Sequence, residues 1–130
     1  MKRVLILLSV ILPTIAFARI GETRQQCDAR YGAGGPPSTI NPNANSTTAS
    51  YNKSGLSISV WFINGRAGHI SYSNIDAKPL TKDQLATLRS ANSGAVEIKS
   101  TSNYMIEFKS TSYDADVKKA AEKATKLKGF

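Results

Sequence analysis

The stretch Leu56-Ser57-Ile58-Ser59-Val60-Trp61-Phe62-Ile63-Asn64-Gly65-Arg66-Ala67-Gly68-His69-Ile70-Ser71-Tyr72-Ser73 constrains this chain more than any other. Strand side chains point alternately to opposite faces, so Leu56, Ile58, Val60 and Phe62 share one side. Asn64-Gly65 between two β-rich runs is a hairpin turn signal. A two-residue turn would set Ile58 against Ser71 and Val60 against His69, mixing polar with apolar. A three-residue loop with Gly65 as a left-handed bulge sets Ile58 against Ile70 and Leu56 against Tyr72. We therefore expect the bulged turn, since a one-residue slip would move a whole apolar set to the wrong face. The opposite face carries Trp61 and Ile63, with His69 beside them. These three residues form a candidate partner-binding surface, or else a patch covered by a loop or helix of the same chain.

The flanking residues add the rest of a sheet and three helices. Thr23 and Gln26 fit a capping box for a short helix ending near Tyr31, where Gly32 offers a stop. Residues 32–46 are rich in Gly, Pro and Asn and read as a mobile loop, followed by a Thr/Ser-rich strand ending at Tyr51. Thr81 with Gln84 forms a second capping box, and Leu80 with Leu85 a hydrophobic staple, for a helix that fades at Asn92-Ser93-Gly94. Val96 and Ile98 begin another strand pair, with Tyr104, Ile106 and Phe108 inward and Glu97, Lys99, Met105, Glu107 and Lys109 outward. A last helix starts near Ser112, with Asp114 and Asp116 at its positive end and lysines further on. Val117, Ala120, Ala121, Ala124 and Leu127 lie on one side of it, a small-residue seam suited to close packing on the sheet. The expected fold is α+β in the order α-β-β-β-α-β-β-α, an antiparallel sheet of about five strands with helices on one face.

The start of the chain reads as a secretory signal peptide over residues 1–18. Lys2 and Arg3 precede an apolar run from Val4 to Ile11, Pro13 breaks it, and Ala16-Phe17-Ala18 fits the cleavage pattern. Only about 14 residues separate Arg3 from Ala18, short of the ~20 that span a bilayer. Cleavage after Ala18 leaves 112 residues, enough for one domain, with 15 basic and 9 acidic side chains and a net charge of +6. The expected location is periplasmic or secreted. A basic surface there favours an anionic envelope polymer or membrane surface. Lys118, Lys119, Lys123 and Lys126 on the last helix are the candidate contacts. The same lysines also serve as an ordinary solvated helix face.

Groups for catalysis are few. One cysteine, Cys27, and one histidine, His69, fall on different elements, so a paired nucleophile and base is not expected. No zinc-ligand spacing, phosphate-binding glycine loop or Gly-x-Ser-x-Gly elbow occurs. The expectation is a binding domain with no catalytic residues, no cofactor, no metal and no nucleic-acid partner. Cys27, without an internal disulfide partner, is a buried thiol, a half-bridge to another chain, or a reactive group.

Gly21-Glu22-Thr23, Cys27, Tyr31-Gly32, Pro36 and later Val60-Trp61-Phe62-Ile63-Asn64-Gly65-Arg66 carry a resemblance. The pattern is similar to one repeat of the small lipoprotein of the outer-membrane barrel-assembly machinery and of the β-lactamase-inhibitor-protein-like fold. It also resembles small exported bacterial proteins of unknown function, over about residues 20–73. This resemblance implies a non-catalytic envelope binding module with helices on an antiparallel sheet. The chain departs from it in lacking a lipidated cysteine and acidic loop tips, and no functional residues carry over.

Overall fold

A computed structural model describes residues 19–32, 38–41, 46–100 and 102–128. Its elements are α1 (Arg24–Tyr31), β1 (Ser38–Asn41), β2 (Ser46–Lys53), β3 (Leu56–Ile63), β4 (Arg66–Asn74), α2 (Lys82–Ala91), β5 (Val96–Ile98), β6 (Met105–Lys109) and α3 (Tyr113–Lys128). The strands form one antiparallel sheet in the order β1-β2-β3-β4-β6-β5. The α+β class and the expected run of helices and strands are present. β1 is an addition at one edge, inside the segment 32–46 expected as a loop. Residues 33–37 and 42–45 of that segment, like the expected leader 1–18, lie outside the described residues.

Capping chemistry places both early helices. Thr23 accepts from the Gln26 backbone and Gln26 answers to the Thr23 backbone, and Thr81 with Gln84 repeats the arrangement. Each box satisfies donors that a helix start otherwise leaves unpaired. The helices cover the sheet face formed by Ala49, Tyr51, Leu56, Ile58, Val60, Phe62, Ile70, Tyr72, Ile106 and Phe108, all buried. α1 contributes Cys27 and α2 contributes Leu88, both fully buried. The Tyr51 hydroxyl donates to Asp28 Oδ1 at 2.6 Å, tying β2 to α1.

The hairpin corrects the expected register. Ile63 pairs with Arg66, so the turn has two residues, and both Asn64 (φ 53°) and Gly65 (φ 77°) take the left-handed conformation such a turn requires. The extra residue lies further along β4, where the pairing shifts between Phe62↔Ala67 and Trp61↔His69 and leaves Gly68 bulged. Beyond it Val60 meets Ile70 and Ile58 meets Tyr72. Apolar residues oppose apolar ones as the face argument demanded, through a bulge in the strand rather than in the turn.

The ends are tied down differently. Gly21 donates to the Ala67 carbonyl at 2.8 Å and Ala67 to the Glu22 carbonyl at 2.7 Å, stitching the first described residues to β4. Ile20 N–H reaches Asn92 Oδ1 at 3.4 Å. Asn92 is buried and also donates to the Tyr72 hydroxyl at 3.1 Å and the Leu88 carbonyl at 3.0 Å. The expectation of helices on one face holds for α1 and α2, whereas α3 begins on the other. The Tyr113 ring sits edge-on to His69, 5.6 Å between centroids, on the face away from the main core. Past that first turn α3 is largely exposed: Val117 at 39 %, with Ala121 also exposed. The expected seam is therefore not buried at Val117 and Ala121, and the side chains of Ala124 and Leu127 lie outside the described residues. No helix among the described residues is long and apolar enough to cross a membrane.

Candidate functional site

The face opposite the main core is built by register. Cross-strand pairing sets Thr48, Trp61, His69, Lys109 and Val96 in one row across β2, β3, β4, β6 and β5. The next row is Ser50, Ser59, Ser71, Glu107 and Ile98, so Val96 and Ile98 lie on this face and Glu97, paired with Phe108, on the core face, the reverse of the expected alternation in β5. Small hydroxyl residues keep the second row low, while the first rises into an aromatic group. Trp61 and His69 stack with ring centroids 4.4 Å apart and planes 17° from parallel. Paired aromatic rings of this kind hold each other in place and add to the area they bury.

Gly68 makes room for the third ring. A Cβ there would lie 2.7 Å from Tyr113 Cδ2, inside contact distance, so the close approach of the Tyr113 ring depends on glycine at this position. Tyr113 is held from below by its own helix start. Lys109 Nζ meets Asp114 Oδ2 at 2.7 Å, and Ser112 donates to Asp116 Oδ2 at 2.8 Å. Two of the three candidate residues, Trp61 and His69, are thus brought together, both half-buried. Ile63 is not part of the surface: it is 9 % exposed and packs beside Gly68.

His69 Nε2 stands 3.4 Å from Glu107 Oε1. The two are close enough for their charges to interact, yet Nε2 has no aligned hydrogen bond among the described residues. Burial holds the imidazole below its ordinary pKa. Glu107 pulls it upward less strongly, and Lys109 adds a further downward push. The side chain is therefore neutral at pH 7, an aromatic surface with an ionisable edge. Burial, then the Asp114 carboxylate, raises the Tyr113 phenol.

Cys27 stands apart from this group. It lies in the core on the opposite side of the sheet, and its thiol is pushed up to about 12 by burial, then by the Glu22 and Asp28 carboxylates. A protonated, inaccessible thiol is neither nucleophile nor intermolecular half-bridge. Among the described residues no three of His, Cys, Asp and Glu gather as metal ligands. The other candidates, Lys118, Lys119, Lys123 and Lys126, are all exposed on α3.

Sequence reasoning missed Tyr113 and Glu107 as members of the aromatic group. The outward alternation of β6 named Glu107, but only the β4–β6 register puts it beside His69. Nothing in the local sequence around Tyr113 marks it, because its contact depends on a glycine 45 residues earlier. No family model matches this chain, and neither a curated protein nor a solved structure matches it.

Proposed function

We propose that this protein is an exported, non-catalytic binding or accessory domain of the bacterial envelope, docking an envelope or secreted protein on its Trp61–His69–Tyr113 face. The observation that carries this reading is the Trp61–His69 stack. It is only partly buried, on a sheet face that the main core does not use. Half-buried, immobilised aromatics with small polar neighbours are the composition of binding hot spots, since little side-chain entropy remains to be lost on docking. The leader pattern at residues 1–18 supports export, and the withdrawn thiol of Cys27 weighs against an enzyme built on it.

The test is a crosslinking pull-down with residues 19–130 on the native envelope fraction, at low and moderate salt, using the parent and Trp61→Phe. Capture of one or two proteins at both salts, reduced in the variant at an unchanged melting temperature, supports the reading. Equal capture by both forms overturns it.

A second reading has its own observation: four exposed lysines on one weakly anchored helix. It makes the protein a ligand of anionic polymers or membrane surfaces. Binding to phosphatidylglycerol vesicles would then fall steeply with salt and disappear when Lys118, Lys119, Lys123 and Lys126 become glutamine.

A further inference from the structure

His69 is the chain's one imidazole, and it stacks on the chain's one indole, Trp61, at 4.4 Å between centroids. Its Nε2 is buried and has no aligned hydrogen bond among the described residues. Glu107 Oε1 stands 3.4 Å from it, and His69 is the only ion-pair partner of that carboxylate among the described residues. The groups that face the imidazole come from four elements. β3 brings Trp61 and Ser59, which carry no charge. β6 brings Glu107 and Lys109, and Lys109 is paired with Asp114 of α3 at 2.7 Å. α3 also brings Tyr113, edge-on at 5.6 Å, with its phenol raised and therefore protonated. β5 brings Val96 and Ile98 to this face, both uncharged.

A protein docked on this face takes the half-buried ring further out of water. Desolvation disfavours the charged form of an imidazole, so docking selects the neutral ring. By linkage, a proton on the ring disfavours docking to the same degree. Protonation also changes the surface. A positive Nε2–H beside Glu107 closes the 3.4 Å gap into a charge-assisted hydrogen bond, which turns the carboxylate toward His69 and away from a partner. Burial already keeps the ring neutral at pH 7 in the free protein, so the form that docks is the resting one. We infer that His69 is a pH switch for the Trp61–His69–Tyr113 face: a partner docks on the neutral ring and is released when mild acid charges it. The inference rests on the docking reading above and adds its regulation.

The first measurement needs no partner: Trp61 emission and the imidazole proton resonances of the free protein, followed from pH 8 downward. An imidazolium quenches indole emission more strongly than a neutral imidazole does. The expected result is a reversible one-proton fall in emission that coincides with the imidazole titration, has its midpoint below pH 6.5, and is absent in His69→Gln. Glu107→Gln should move that midpoint to lower pH, because the carboxylate favours the charged ring. The envelope pull-down is then repeated at pH 8 and one unit below the midpoint, with melting temperatures confirming that every form is folded at both. Capture by the parent should fall about tenfold, the limit for one linked proton, while capture by His69→Gln does not change with pH. A Trp61 emission that does not follow the imidazole titration overturns the switch. So does parent capture that is equal at both pH values while Trp61→Phe still reduces it, and so does a fall of the same size in His69→Gln. Equal capture by the parent and Trp61→Phe at pH 8 overturns the docking reading itself, and the switch with it.

Discussion

Cys27 and His69 are the two side chains a sequence reader would ask about first, and burial answers for both. Cys27 is fully buried with its thiol raised to about 12, against 9.0 for the ordinary group. A thiol reagent at pH 8 should therefore react with the native protein only as fast as it unfolds, and immediately in denaturing urea. Rapid stoichiometric labelling of the folded chain would contradict the placement. The unfolded thiol ionises near its ordinary value while the folded one stays protonated, so Cys27 also lowers stability as pH rises above about 9. His69 has the opposite sign. Its folded pKa is depressed, so below about 6.5 the unfolded chain takes up a proton that the folded one refuses. Its contribution is complete above that pH and declines as the solution is acidified toward the folded pKa. Urea titrations at pH 8 and 5 should show a larger loss for the parent than for His69→Gln. Equal losses would mean that Glu107 cancels the effect of burial, and a smaller loss in the parent that it outweighs it. The burial of Cys27 was one of three readings open from the sequence, and only the position of α1 on β2 selects it.

At the scale of elements, what was legible was whatever local chemistry writes. Both capping boxes, the apolar face of β3 and the Asn64-Gly65 turn are decided within a few residues, and all are present in the structure. The hairpin register was misassigned because the face rule asks only that apolar meet apolar. An extra residue in the turn and an extra residue at Gly68 both satisfy it. The choice of Gly68 involves Tyr113, whose ring fills the place of a Cβ there. Gly68→Ala should consequently destabilise the domain by about 1–3 kcal/mol through overpacking. Tyr113→Ala in the same chain should recover part of that loss, which a double-mutant cycle in urea would measure. Additive losses would show that the bulge, rather than the ring, is what requires glycine. The strand β1 was hidden for the reverse reason: Gly, Pro and Asn around it give a loop signal, and an edge strand needs only one partner to form.

The molecule as a whole uses its sheet unequally. One face, under α1 and α2, holds the buried cluster; the other holds the aromatic group, with α3 anchored beside it by Tyr113 and the Lys109–Asp114 pair. Sequence pattern assigned α3 its length and its acidic start, but an alanine-rich stripe says nothing of which surface it meets. Its exposure beyond the first turn follows from that weak stripe, because alanine buries too little apolar area to hold sixteen residues down. The consequence is a gradient of local stability. Amides of β3, β4 and β6, inside the sheet and over the core, should exchange only through global unfolding. Those of α3 after Val117 should exchange orders of magnitude faster, through fraying that leaves the sheet intact. A residue-resolved exchange experiment checks this directly, and protection of α3 equal to that of β3 would mean that its outer turns are packed. The distinction bears on both binding surfaces. A rigid Trp61–His69 stack keeps its shape as the helix beyond it opens, whereas lysines on a fraying helix attract anions without fixing their position.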